Sequence, residues 1–172
     1  MQLTLIGTAY QLDDIEIDAQ TCINWYAQSA ESGGRNALIP TAGLLKSHDL
    51  GNAVTAMVML SNNVLLVTTK TYAYRIADGR ATGIGMLATH EHATIADNGQ
   101  QAVIAVGRKL YAVDMTTWEL SEVTGDGFGG CQYVDFLDGY FVFATPDTGR
   151  FGWFGLYNTT FDALSYATAE GD

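Results

Sequence analysis

One stretch of this chain repeats. Moving Val64-Leu-Leu-Val-Thr-Thr-Lys-Thr-Tyr-Ala-Tyr74 along by 39 positions lays it on Val103-Ile-Ala-Val-Gly-Arg-Lys-Leu-Tyr-Ala-Val113. Apolar residues meet apolar residues, Lys70 meets Lys109, and Tyr72-Ala73 meets Tyr111-Ala112. A second step of the same size carries Val103 to Val142, within Tyr140-Phe-Val-Phe-Ala-Thr145. After a small insertion around Pro146-Asp-Thr-Gly149 the match resumes in Arg150-Phe-Gly-Trp153. A unit of about 40 residues that recurs in this way cannot bury its apolar face alone, so its copies must stack.

The unit is built of strands. Val54–Leu60, Val64–Thr69, Ala102–Val106 and Tyr140–Ala144 are short apolar runs rich in β-branched or aromatic residues, bounded by Gly, Asn, Asp or Ser. Continuous runs of this kind suit strands covered on both faces, as in stacked sheets or propeller blades. Each copy opens on turn chemistry: Ser61-Asn-Asn63, Asp97-Asn-Gly99 and Leu137-Asp-Gly139. Asn-Gly and Asp-Gly supply the positive-φ positions of tight hairpins. The expected fold is therefore all-β, with about three blade-like units between residues 53 and 168. A β-sandwich with accidental periodicity is the alternative. Propellers typically carry 4–8 blades, so three units form an incomplete ring.

Two regions are expected. Residues 1–51 read as an N-terminal arm or docking strand, with an acidic patch at Asp13-Asp-Ile-Glu-Ile-Asp18 and a turn at Ser32-Gly-Gly34. Residues 52–172 read as the β-repeat domain, a piece truncated at its C-terminal end. The start, Met1-Gln-Leu-Thr-Leu-Ile-Gly7, has neither a basic region nor a long apolar run, so no signal peptide and synthesis in the cytoplasm are expected. No apolar run approaches the roughly 20 residues of a membrane helix. Without export, Cys22 and Cys131 read as two reduced thiols, and Asn158-Thr-Thr160 as a sequon without consequence.

Charge narrows the function. Eight basic residues face 19 acidic ones, a net charge of −11. Tight binding to a phosphate backbone or an anionic membrane needs clustered Lys and Arg, and no segment is strongly basic. The motifs that could carry chemistry each have a plainer reading. Gly125-Asp-Gly-Phe-Gly-Gly130 matches the spacing of a dinucleotide loop, but a strand-like Cys131-Gln-Tyr-Val-Asp-Phe136 follows where a helix must open. It reads as a link between units. His90 and His92 stand at i and i+2, on one face if extended, but a zinc site needs further ligands and His48 is the only other histidine. Such pairs are commonly exposed loop residues between blades. Asp135 and Asp138 fall on opposite strand faces, which argues against a glycosidase pair, and Asp138 belongs to an Asp-Gly turn. Trp153, Phe154, Tyr157 and Phe161 could stack on sugars or bases, yet read better as core or interface. No catalytic residue, metal ligand or cofactor site is assigned, and an enzyme is not expected.

Two stretches carry a family likeness. One is Cys22-Ile-Asn-Trp-Tyr-Ala-Gln28 followed by Leu38-Ile-Pro-Thr-Ala-Gly-Leu44. The other is Gln132-Tyr-Val-Asp-Phe-Leu-Asp-Gly-Tyr-Phe-Val-Phe-Ala-Thr-Pro-Asp-Thr-Gly-Arg-Phe151 with Phe161-Asp-Ala-Leu-Ser-Tyr-Ala-Thr-Ala-Glu170. In order and combination these resemble the N-terminal part of phage packaged-DNA stabilisation proteins, the tail-hub (tail accessory) proteins of short-tailed phages. The likeness is strongest over 132–172 and weak over 52–95. It implies a virion tail component, a homo-oligomeric ring of propeller-like subunits that retains packaged DNA. The implied partners are the portal or adaptor protein above and a tail needle or plug below. A carbohydrate-binding or glycan-hydrolysing propeller and a generic β-repeat interaction scaffold are the alternative functions.

Overall fold

The computed structural model describes residues 25–28 and 37–169. The chain divides into two compact units, Met1–Ser47 and His48–Asp172. In the first, β1 (Trp25–Gln28) pairs antiparallel with β2 (Ala37–Pro40), Trp25 opposite Pro40 and Gln28 opposite Ala37. Cys22, the Asp13–Asp18 patch and the Ser32–Gly34 turn lie outside the described residues.

The second unit consists of three four-stranded sheets, and no helix occurs among the described residues. The first sheet holds β3 (Val54–Met59), β4 (Leu65–Thr69), β5 (Tyr72–Ala77) and β6 (Arg80–Met86). The second holds β7 (Ala93–Asp97), β8 (Gln101–Val106), β9 (Lys109–Asp114) and β10 (Leu120–Val123). The third holds β11 (Tyr133–Leu137), β12 (Tyr140–Ala144), β13 (Arg150–Trp153) and β14 (Tyr166–Thr168). Strands pair in chain order and antiparallel throughout, so each repeat is one meander, a blade of an incomplete propeller. A sandwich would put strands of distant repeats in shared sheets. None of the three sheets does so.

The turns form where the sequence places them. Asp138 (φ +50°) and Gly139 (φ +89°) both take left-handed backbone between β11 and β12, the pairing a two-residue hairpin demands. Register departs from the 39-residue step at one point. Val67 pairs with Tyr74 in the first blade as Ile104 pairs with Tyr111 in the second, so Tyr74 rather than Tyr72 occupies the place of Tyr111. The β4–β5 register is centred between Lys70 and Thr71 and the β8–β9 register between Gly107 and Arg108, so these two hairpins stand 37 residues apart. A displacement of two keeps every side chain on its face.

The core lies between the blades. The first cluster joins Leu66 and Ala73 of the first blade to Ala102, Ile104, Val106, Tyr111 and Val113 of the second. The other joins Val103, Ala105 and Leu110 to Val134, Phe141, Phe143 and Phe154 of the third. β8 therefore alternates: Ala102, Ile104 and Val106 face one neighbour, Val103 and Ala105 the other. That is why its run is apolar without a break. At the inner strands the blades are also stitched by polar contacts, the Val134 N–H donating to Thr94 Oγ1 at 3.1 Å. At the hairpin ends Ser61 Oγ donates to Asp97 Oδ1 at 2.5 Å, and Asn98 Nδ2 to the Tyr157 carbonyl at 3.1 Å.

Candidate functional site

The chemistry-bearing residues collect at the two seams between blades, on the end where the blade-to-blade connections run. At the first seam the connection after β6 turns back over the first blade. The Leu87 N–H donates to the Thr71 carbonyl (2.8 Å) and the His90 N–H to the Lys70 carbonyl (3.1 Å). This drives the His90 ring inward, to 6% exposure, against expectation for an exposed loop histidine. The residues here are not a strand, so His90 and His92 part company: His92 stays exposed, its ring 6.2 Å from that of Tyr133.

Both His90 nitrogens are engaged. Nδ1 lies 2.7 Å from the Ala88 carbonyl, which only accepts, so the proton of the neutral ring sits there. Nε2, 2.9 Å from Thr55 Oγ1, then accepts from that hydroxyl. Thr55 Oγ1 lies 2.9 Å from Thr68 Oγ1, completing a hydroxyl–imidazole chain from β4 through β3 to the connection. Thr68 is fully buried, and this chain satisfies its hydroxyl. A ring held at both nitrogens has no lone pair left for a metal. Among the described residues no three of His, Cys, Asp and Glu gather as a metal site would require.

A crevice of about 220 Å³ opens beside this brace, lined by His90, Glu91, His92, Gly107, Gln132 and Tyr133. Glu91 is paired with Lys70 at 2.7 Å. At the second seam a larger hollow of about 320 Å³ is bounded by Arg108, Lys109, Glu122 and the Gly125–Gly130 loop. Its cations are already partnered, Arg108 by Asp147 and Lys109 by Glu122. The hydrogen bond it donates to Glu122 holds the Lys109 ammonium above its ordinary range. Neither hollow presents an uncompensated charge.

The remaining candidates fall where turn and packing chemistry puts them. The Gly125–Gly130 loop joins the second blade to the third, and its Phe128 packs against Phe143, Phe154 and Phe161. Asp135 and Asp138 are both exposed, the first bonded to the Phe136 N–H, the second in its turn. Asp114 receives the backbone N–H groups of Thr117 and Thr116, which hold its carboxyl below the usual carboxylate range. Cys131 is a free thiol, and burial pushes it up to about 12. Of the four aromatics, Phe154 is buried and Phe161 packs on the same cluster; Trp153 lies on the opposite blade face and Tyr157 is exposed. Sequence reasoning missed the Thr55–Thr68–His90 chain. Its signal was the pair of hydroxyls within otherwise apolar strands.

Comparison with known proteins places this geometry. The family model described as Bacteriophage P22 Gp10, beta-propeller, matches residues 1–172. No curated protein matches the chain. Among solved structures, the Pan2 WD40 domain of Neurospora crassa is 13% identical with a TM-score of 0.47, over 67% of this chain and 36% of that one. A structure of YCF48 bound to D1 peptide is 11% identical with a TM-score of 0.47, over 83% of this chain and 45% of that one. The chain thus spans less than half the length of either.

Proposed function

Because the chain belongs to the phage stabilisation family of β-propeller proteins, a family of phage structural proteins, we propose that it serves in the tail hub. In this reading it retains packaged DNA and links the portal or adaptor protein to the distal needle or plug. The observation that carries the reading is the family match along the whole chain, and its three four-stranded blades agree with the β-propeller of that family. The seams support it: their polar groups are spent on holding blades together, which suits a part that bears load rather than one that turns over substrate. A homo-oligomeric ring of the full-length protein and a location in the virion tail follow from the same reading.

The test is genetic and visual. A phage whose gene for this protein is interrupted should fill its heads and then lose the DNA, leaving empty, tail-deficient particles by electron microscopy. Particles that keep both their DNA and a complete tail would overturn the assignment.

A further inference from the structure

The tip of the β7–β8 hairpin carries the chain's one Asn-Gly pair, Asn98-Gly99, directly after Asp97. All three blades meet there. Asp97 is held from the first blade, Ser61 Oγ donating to Oδ1 and the Ser61 N–H to Oδ2 at 3.3 Å. The Asn98 amide is held from the third, Nδ2 donating to the Tyr157 carbonyl. Within the hairpin the Gly99 N–H donates to Asp97 Oδ1 at 3.0 Å. Asn98 Oδ1 accepts from the Gln100 and Gln101 N–H groups at 2.9 and 2.7 Å.

We propose that Asn98 is a self-modification site, deamidated by the folded hairpin itself, with Asp97 as general base and the Gln100 and Gln101 N–H groups as the oxyanion hole. The proposal rests on this hairpin and not on the virion role. The Gly99 nitrogen attacks Asn98 Cγ, and an N–C bond forms as Asp97 takes the nitrogen's proton. The π electrons of the amide C=O move to Oδ1, where the two N–H donors stand. When they return, the bond from Cγ to Nδ2 breaks and ammonia leaves, carrying the proton that Asp97 took up. Water then opens the cyclic imide at either carbonyl and leaves aspartate or isoaspartate at position 98.

Geometry supports each role. The contact from Asp97 to the Gly99 nitrogen lies within the hydrogen-bond reach that a general base needs. Donors fixed in place where negative charge develops stabilise it without reorganising. Gly99 is exposed and has no side chain to shield its nitrogen. Asn62 and Asn158 make the same kind of side-chain turn, to the Val64 and Thr160 N–H groups. Each accepts from a single N–H, and Asn63 and Thr159 follow in place of glycine. The product alters the seam. A carboxylate only accepts hydrogen bonds, so at position 98 it would face the Tyr157 carbonyl acceptor to acceptor, and the second and third blades would lose that link.

The test follows the tryptic fragment 81–108, which holds no other asparagine, by mass spectrometry while the whole chain is kept at neutral pH. Folded chain should convert Asn98 about tenfold faster, or more, than the same chain unfolded in guanidinium chloride. Asp97→Asn keeps an acceptor for the Gly99 N–H but removes the base, and should bring the folded rate down to that of the unfolded chain, with circular dichroism reporting its fold. Asn62 and Asn158 should stay intact over the same interval. A folded rate equal to or below the unfolded one would show that the hairpin protects Asn98, and would overturn the proposal. An undiminished rate in folded Asp97→Asn would overturn it equally. Should Asp97→Asn fail to fold, the comparison of folded with unfolded chain decides alone. Either refutation leaves the virion reading standing.

Discussion

At Gly130 the backbone takes φ +95°, and a Cβ added there would press on the backbone oxygen of Arg108. That oxygen also accepts from the Cys131 N–H at 3.3 Å, so the second and third blades are joined through a contact that tolerates no side chain. Gly130→Ala should therefore lose about 3 kcal/mol or more in denaturant unfolding, combining left-handed strain with a clash against immobile backbone. The neighbouring Cys131 titrates with a definite sign. Its ordinary value is 9.0 and burial raises it to about 12, so the folded state favours the neutral thiol. The stability this contributes is whole below pH 9 and is lost as pH rises from about 9 toward 12. Unfolding measured from pH 8 to 11 in a Cys22→Ser background should show that fall, and Cys131→Ala should lessen it. The His90 brace gives a third expectation. Thr55→Val keeps the shape but leaves His90 Nε2 and Thr68 without their shared partner, which should cost about 1–3 kcal/mol. An unchanged unfolding midpoint would show that the hydroxyl chain stabilises nothing.

Among the elements, β8 shows most clearly what could be read from the sequence. The unbroken run Ala102–Val106 announces a strand covered on both sides, and the structure assigns Ile104 to one seam and Val103 to the other. Both are fully buried. Ile104→Ala should cost about 3–4 kcal/mol and Val103→Ala somewhat less, by loss of contacts and a residual cavity. Ser121, on the edge strand β10, is exposed, and Ser121→Ala should move stability by no more than about 0.5 kcal/mol. Equal effects at all three sites would refute two-sided burial. What the run could not reveal is which sheets supply the covers, because an apolar strand looks the same in a sandwich and in a blade. The 39-residue step had a similar limit. It located the repeat, but the β4–β5 and β8–β9 hairpins are centred 37 residues apart, which shifts the true pairing by two, and an apolar pattern does not fix where a hairpin is centred. His90 was misread for a related reason. Its burial depends on backbone bonds from the connection to Lys70 and Thr71, which lie in another strand pair.

For the molecule as a whole, the net charge of −11 understates how little positive surface is available. Lys70, Arg108 and Lys109 sit beside Glu91, Asp147 and Glu122, while Arg75 lies over Trp118 and Arg150 over Tyr166. Binding to duplex DNA draws its strength from cations that displace condensed counterions, with a slope near −0.9 per phosphate contact against the logarithm of salt. These five cations already face carboxylates or rings, and the chain's surplus of acid repels the backbone. In the hub role proposed above, such repulsion would let DNA slide past without adhering. The expected result is no retardation of a short duplex by the chain at 20 μM protein and about 20 mM salt, where electrostatic binding is strongest. Binding that appears there and disappears by about 200 mM would mean that a phosphate-contacting surface exists. Lack of binding at every salt concentration is the outcome that the proposed hub role expects of an acidic wall.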